Sequence, residues 1–218
     1  MPAGYELADG LRRWTALHPE WDPVEDELDD SYREVASLLY DSAEGLVLVD
    51  PLVPTDDADG FLEALDRDVE RTGKAPQILI TIRWHVRSTQ ALSDRYPGSH
   101  VWAHKASREV VSERARVTDL FDFGETLPGG IVAYDAQRGG EALFWIPEHR
   151  ALVSGDVLLG TEDGGLRVCP ESWLGPRDPQ VVRAGLRALL DLPIECVLVA
   201  HGPPVLSEGR AALAAALG

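Results

Sequence analysis

The stretch ILITIRWHVR, residues 78–87, decides how the rest of the chain is interpreted. Ile78 to Thr81 are apolar or β-branched, a pattern typical of a short strand that is buried on both faces. Ser88 to Tyr96 follow after a short polar turn and predict a helix. Open α/β sheets place binding and catalytic residues where a strand ends in a turn before a helix. This turn carries three candidate site residues: Trp84, His85 and Arg87.

The turn resembles the one that carries the metal-binding motif of the metallo-β-lactamase superfamily, Thr-His-x-His-x-Asp-His. With the motif laid on Thr81, its metal-binding positions fall on residues that cannot take that role: Ile82, Trp84, Val86 and Arg87. His85 falls on a motif position that is not a ligand in the family. The resemblance therefore implies the fold and predicts that the family's dinuclear zinc centre has been lost.

Four further segments resemble family strands: LVLVDPL (46–52), YPGSHVWAH (96–104), EALFWIPEHRALVSGD (141–156) and VLVAHGP (197–203). Their order matches the family's from about residue 45 to residue 203. The fold implied is an αββα sandwich, of α+β or α/β class, in which two mixed β-sheets carry helices on their outer faces. We expect one domain over residues 1–218, with no separable second domain.

The composition argues against several classes of partner. The chain has 218 residues, of which 37 are Asp or Glu and 20 are Lys or Arg, so its formal net charge is −17. Nucleic acid and anionic membranes need a basic face, and neither is expected as a partner. No apolar run approaches the roughly 18 residues of a membrane span, and no signal peptide is recognised. Cys169 and Cys196 form no paired motif, which favours a reduced, cytoplasmic setting.

Three local patterns predict further structure. Apolar spacing predicts a helix from Thr55, its N-cap, to Gly73. The acidic run Asp22 to Asp30 is expected to form a surface loop. Leu158 to Pro176 contains three closely spaced glycines and no clear period, so we expect a mobile loop across the mouth of a cleft. If the apolar residues of this loop and Trp173 are exposed, they could pack against a second copy and form a homodimer.

The resemblance also implies where the remaining metal ligands of the family would lie. The later histidine of the family falls near Gln137, and glutamine is a poor zinc ligand. The carboxylate of the Gly-Asp pair is Asp156, and the final histidine is His201. Each of these two also suits a structural role at a turn. Two ligands do not hold zinc, so no cofactor is predicted.

Two more expectations concern the surroundings of Asp156. Asp50 resembles a carboxylate that orients metal ligands by hydrogen bonding; without ligands it would bond loop amides. Trp84 is expected to fill the space where a ligand and metal would otherwise lie. Arg87 is expected to pair with Asp156 and to replace the charge of the lost ion, because a buried carboxylate needs a partner.

The leading hypothesis is a relative of the family's hydrolases that lacks the zinc centre and keeps a cleft for a small molecule or a partner. The alternative is a mononuclear metallohydrolase acting on an ester, lactone or thioester. It would bind one zinc or other divalent ion through His85, Asp156 and His201, which requires His85 to swing inward. A third reading is an interaction protein that functions in an assembly. Metal content distinguishes the first two hypotheses.

Overall fold

Seven strands form one sheet of the computed structural model, which describes residues 4–18, 20 and 33–218. They are β1 (Gly4–Ala8), β2 (Leu11–Leu17), β3 (Glu34–Ser42), β4 (Gly45–Val49), β5 (Gln77–Leu79), β6 (His100–His104) and β7 (Asp119–Phe121). The strands lie side by side in chain order. Strands β1 to β4 are joined antiparallel, and β4 to β7 run parallel. Helices α1 (Ala58–Thr72), α2 (Thr89–Arg95) and α3 (Arg108–Ser112) connect the parallel strands.

Five strands form the second sheet, in the order β14-β11-β10-β9-β8. They are β8 (Thr126–Leu127), β9 (Ile131–Asp135), β10 (Ala142–Ile146), β11 (Ala151–Ser154) and β14 (Cys196–Val199). Only the β11–β14 pair in this sheet is parallel. A separate hairpin of β12 (Leu158–Gly160) and β13 (Leu166–Val168) follows β11, and helices α4 (Pro179–Leu186) and α5 (Gly209–Leu217) complete this half.

Side chains alternate between the two faces of each sheet, as the two-residue period of a strand requires. Leu38 in β3 and Phe144 in β10 lie in the apolar core between the sheets. Their neighbours Leu39 and Trp145 point the other way, towards the helices on the outer faces. The layer order is therefore helix, sheet, sheet, helix, and both sheets are mixed, as the sequence predicted.

The ends of the parallel strands meet at one edge of the sandwich. After β5, the carbonyl of Thr81 accepts a hydrogen bond from the amide of Ala142 at the start of β10 (2.8 Å). After β14, the carbonyl of Ala200 accepts one from the amide of Ala36 in β3 (2.8 Å). Backbone bonds between the two sheets thus fix the turns that follow β5 and β14 at this edge.

Several local predictions need correction. The α1 N-cap is Asp57 rather than Thr55, although the helix does end at Gly73 in a left-handed cap. The segment from Leu158 is not a structureless loop, because it contains the β12–β13 hairpin. Its apolar side chains are buried rather than exposed: Leu158, Leu159, Leu166, Val168 and Leu174. These five side chains therefore do not offer the exposed apolar surface on which a homodimer through this segment depended, and dimerisation stays a prediction.

Strand β1 was not predicted from the sequence. The acidic run at residues 22–30, expected to form a surface loop, lies outside the described residues. No helix in the described ranges combines the length and the apolar character that crossing a membrane would require.

Candidate metal centre

Three buried side chains converge at the edge where the strands end: His85, Asp156 and His201. Nε2 of His85 lies 3.2 Å from Oδ1 of Asp156, and Nε2 of His201 lies 3.4 Å from the same oxygen. One ligand atom from each residue lies within 4.8 Å of the other two. The structure therefore brings two imidazoles and one carboxylate to a single point, from turns that are far apart in the chain.

Asp50 holds His85 in this position. Oδ1 of Asp50 accepts a hydrogen bond from the backbone amide of Thr81 (2.8 Å), and Oδ2 accepts one from the Thr81 hydroxyl. Nδ1 of His85 lies 2.8 Å from the same Oδ2. Because Nδ1 of His85 donates its proton to Asp50, the neutral form of the ring, which a metal would require, has its lone pair on Nε2, facing Asp156. The predicted orienting role of Asp50 matches this arrangement, in which the carboxylate also bonds a loop amide.

Arg138 and Glu141 form the other side of Asp156. Nη1 of Arg138 donates to Oδ2 of Asp156 (3.1 Å) and to Oε2 of Glu141 (2.9 Å). Oε1 of Glu141 accepts hydrogen bonds from the amides of Asp156 (2.6 Å) and Val157 (2.8 Å). Nε of Arg138 donates to the carbonyl of Trp173 (2.7 Å). One guanidinium therefore joins two buried carboxylates to the segment after β13.

Burial and neighbouring charges raise the pKa of His85 and lower those of Asp156 and His201. Burial and Arg87 lower the pKa of His85, but Asp156 and Asp50 outweigh them and raise it to about 9. Burial raises the pKa of Asp156, yet His85 and His201 hold it well below its usual range. Burial lowers the pKa of His201 in spite of Asp156. Without a metal, a proton on His85 is thus the favoured counter-charge of Asp156.

The donor set and its spacing fit one metal ion. Oδ1 of Asp156 is buried and makes no well-aligned hydrogen bond with any described residue, although two imidazole nitrogens lie close to it. Two ligands of a tetrahedral metal, each about 2.0–2.1 Å from the ion, are about 3.3–3.4 Å apart. The distances from Oδ1 of Asp156 to Nε2 of His85 (3.2 Å) and to Nε2 of His201 (3.4 Å) agree with that value. Three protein ligands that leave one position open are the usual number at a catalytic zinc site.

These contacts revise three predictions from the sequence. His85 points at Asp156 without any inward swing, so three donors are present where two were expected. The reason for predicting no metal, a shortage of ligands, therefore does not hold. Trp84 does not fill the metal position, because its side chain is 53% exposed.

The two remaining candidates do not lie as expected: Arg87 does not pair with Asp156, and Gln137 does not line the cleft. Nη1 of Arg87 donates to the carbonyls of Ala36 (2.7 Å) and Asp50 (2.9 Å), and the predicted Arg87–Asp156 pair is wrong. Arg138 takes that role. The side chain of Gln137 packs against helix α4 at Gly185 instead of entering the cleft.

Sequence reasoning missed Arg138 and Glu141. Arg138 follows Gln137, whose φ of +61° lies in the left-handed region. At this turn the Gln137 side chain packs against α4, and the next residue, Arg138, reaches Asp156. Glu141 is fully buried immediately before the apolar strand β10. A charged residue at the start of a buried strand is an unusual pattern, and it was the available sign that Glu141 needed partners.

The backbone around the site is under local constraint. Asp50 and Arg87 have φ values of +48° and +43°, which residues with side chains seldom adopt. Gly155 precedes Asp156, and a Cβ atom at this position would lie 2.5 Å from Oγ1 of Thr81. Only glycine therefore allows β11 to pass this close to the hydroxyl that bonds Asp50.

A cleft of about 840 Å³ opens above the three donors. Its lining includes Trp84, His85, Arg87, Asp156, Trp173 and His201. Residues 172–176 line one side, so the segment after β13 lies at the cleft as predicted. The Trp173 ring lies 5.9 Å from the His201 ring, edge to face. The mobility predicted for this segment stays a prediction.

Comparisons with known proteins identify the fold. No family model matches the sequence, and no curated protein matches it significantly. Among solved structures, a metallo-beta-lactamase family protein from Thermus thermophilus shares 19% identity and a TM-score of 0.64, over 96% of this chain and 78% of that one. The metallo-beta-lactamase FIM-1 from Pseudomonas aeruginosa, in its mono-zinc form, shares 14% identity and a TM-score of 0.67, over 100% and 94%.

A third similar structure is that of TTHA1623 in a di-iron-bound form. It shares 25% identity and a TM-score of 0.61, over 83% of this chain and 92% of that one. The first two likenesses cover nearly the whole of this chain, including both sheets and the edge that carries the three donors. The chain therefore has the metallo-β-lactamase fold.

Proposed function

We propose that this chain is a mononuclear metal-dependent hydrolase acting on an ester, lactone or thioester, with His85, Asp156 and His201 as the metal ligands. The observation that supports it is the convergence of two imidazole nitrogens on Oδ1 of Asp156, an oxygen without a well-aligned hydrogen bond. FIM-1 has been described in a mono-zinc form, so one ion is compatible with this fold. A bound divalent ion would supply Lewis acidity and a water of lowered pKa.

The residues of the chain have distinct roles around that chemistry. Asp50 fixes the ring orientation of His85 through Nδ1, which leaves Nε2 free to act as a ligand. Arg138 holds Oδ2 of Asp156 and so directs Oδ1 towards the two histidines. The Trp173 segment, tied to Arg138 through its carbonyl, covers one wall of the cleft and reduces the access of water.

Metal analysis of protein purified without chelator tests the proposal. We expect close to one zinc, iron or manganese ion per chain, and loss of both metal and hydrolysis in His85→Ala. The matched control is His100→Ala, since His100 is exposed and pairs with Asp119 away from the cleft. Retention of metal and activity in His85→Ala would refute this ligand set. The identity of the ion matters as well, because two histidines and one carboxylate also suit Fe(II).

A second candidate is a non-hydrolytic protein that binds a small molecule or a partner in the same cleft. The observation that favours it is the Arg138–Asp156 contact of 3.1 Å, which with a protonated His85 neutralises the carboxylate without a metal. This candidate predicts less than about a tenth of an equivalent of metal, even after incubation with Zn²⁺, Fe²⁺ or Mn²⁺.

A further inference from the structure

The cleft concentrates positive charge in a chain that is strongly acidic. Five of its lining residues are arginines: Arg83, Arg87, Arg114, Arg138 and Arg177. The acidic residues that line it in the described part of the chain are Glu20 and Asp156. The whole chain carries 37 acidic and 20 basic side chains. A quarter of its basic residues thus surround one opening, where they outnumber the acids.

Two of these five arginines are paired with acids, and the other three have N–H groups available to a ligand. Arg138 is shared between Asp156 and Glu141, and Arg114 lies 3.6 Å from Glu20. By contrast, Arg83 and Arg177 form no ion pair with any described residue. Nη2 of Arg87 is buried and has no acceptor among the described residues, although Nη1 has two. A buried guanidinium nitrogen without an acceptor is costly unless a ligand supplies one.

Arg83 is held in place by an aromatic ring. Its guanidinium carbon lies 4.5 Å from the centre of the Trp84 ring, a cation–π distance. Trp84 is 53% exposed, so its stacking surface faces solvent at the cleft. A cation–π contact uses none of the guanidinium N–H groups as a donor to an oxygen, so these groups stay available to carboxylates and phosphates, which arginine binds in the plane of its N–H groups.

We propose that the cleft binds a substrate that carries a carboxylate or phosphate group apart from the bond that is cleaved, and that Arg83 and Arg177 bind this group. This inference deepens the proposed function and rests on it in one respect: the bound anion is a substrate only if the protein is a hydrolase. Charge on the rest of the surface does not prevent such binding, because exposed charges more than about 8 Å away are largely screened at physiological ionic strength. The nearest charges decide, and in the cleft they are arginines.

A binding experiment on chelator-treated, metal-free protein tests this inference without requiring activity. The probes are phenyl phosphate, benzoate and the uncharged benzamide, with tryptophan fluorescence and calorimetry as readouts. We expect both anions, or one of them, to bind at least about tenfold more tightly than benzamide, and to weaken as KCl is raised. The ratio of the two anion affinities distinguishes phosphate from carboxylate as the preferred group.

Variants locate the binding group. Arg83→Gln and Arg177→Gln should each weaken anion binding on the order of tenfold, which is the effect of losing one charge-assisted contact. Arg108→Gln is the matched control, because Arg108 is exposed on α3 and does not line the cleft. Far-UV circular dichroism confirms that each variant is folded. Equal binding of anions and benzamide, or an equal loss in Arg108→Gln, would overturn the inference.

The anion site and the hydrolase proposal can fail independently of each other. If the protein binds anions through Arg83 and Arg177 but takes up no metal, the anion site stands and the hydrolase proposal fails. If it takes up one metal and hydrolyses esters but binds no anion in the metal-free state, the hydrolase proposal stands and the anion site is refuted.

Discussion

Two buried aspartates, Asp50 and Asp156, follow strands β4 and β11 at facing edges of the two sheets, yet their surroundings differ. Both oxygens of Asp50 are engaged, by the Thr81 amide, the Thr81 hydroxyl and Nδ1 of His85. Asp156 has one oxygen bound to Arg138, while the other faces two imidazoles without a well-aligned hydrogen bond. A fully bonded carboxylate orients its neighbours, whereas a buried carboxylate with a spare lone pair can bind an ion.

The largest expected effect comes from removing the cation beside Asp156. In metal-free protein, Arg138→Met leaves Asp156 and Glu141 as buried carboxylates without their shared partner. We expect a loss of about 3–5 kcal/mol in the free energy of unfolding, measured with urea. Arg108→Met, at an exposed position, controls for the loss of charge alone. Adding Glu141→Gln to Arg138→Met should restore part of the stability, and full additivity of the two changes would contradict the shared ion pair.

The next effect is a pH dependence of the metal-free protein. The folded pKa of His85, about 9, lies above its ordinary value of 6.5. Its stabilising contribution is therefore complete below pH 6.5 and disappears as pH rises through 9. Unfolding free energy should fall by up to about 3 kcal/mol over this range.

Measurement above about pH 7.5 separates this effect from that of Glu141. Burial and Asp156 raise the pKa of Glu141 from 4.5 to about 7. The loss of stability that its ionisation causes as pH rises is therefore largely complete at a lower pH than the loss caused by His85. His85→Gln should flatten the profile between about pH 7.5 and about pH 9.5. A profile as steep as that of the parent protein would show that another group titrates there.

A smaller effect should follow from adding a methyl group at Gly155, where the backbone lies close to Thr81. In Gly155→Ala the new methyl group meets the Thr81 hydroxyl, which is bonded to Asp50 and cannot rotate away freely. We expect about 1–3 kcal/mol of destabilisation in chemical unfolding. The same substitution made in a Thr81→Ala background should cost less, because the closest colliding atom, Oγ1 of Thr81, is gone. An equal cost in both backgrounds would show that the contact does not determine the effect.

The last expected effect is on metal affinity rather than stability, and it tests Asp50 as an orienting residue. Asp50→Asn keeps the size of the side chain but weakens the bond to Nδ1 of His85. We expect metal affinity to fall about 10–100-fold, with the ligands themselves intact, as measured by competition with a chromophoric chelator. Asp119→Asn, which alters a similar but exposed pair with His100, is the control. An unchanged affinity would show that Asp50 is structural only.

The comparison of the two aspartates also shows how far sequence reasoning reached. Asp50, Asp156 and His201 were all placed near the site from the segments that resemble the family. Each follows a strand closely, so the position of the strand determines where the residue lies. Trp84, His85, Arg87 and Gln137 lie in turns, and for these the direction of the side chain was not predictable. Counting motif positions assigned His85 to a non-ligand position, whereas the folded turn points it at Asp156.

What the sequence by itself determined is the layered architecture and the edge that carries the site. Buried strands, their two-residue alternation and the helices between them are local patterns, and each is set by hydrophobic periodicity. Those patterns also require the polar residues that end the strands to gather at one edge. The αββα sandwich itself was predicted from the resemblance of these segments, in their order along the chain, to the metallo-β-lactamase superfamily.

Only the tertiary structure decided which side chains meet at that edge. The left-handed backbone at Arg87 and Gln137 turns Arg87 towards the carbonyls of Ala36 and Asp50, and brings Arg138 to Asp156. The physical reason is that a buried charge takes whichever partner the packed backbone brings within hydrogen-bonding distance. Arg138 and Asp156 come from separate turns of the second sheet, and His201 from another 45 residues beyond Asp156, so no local pattern encodes their meeting.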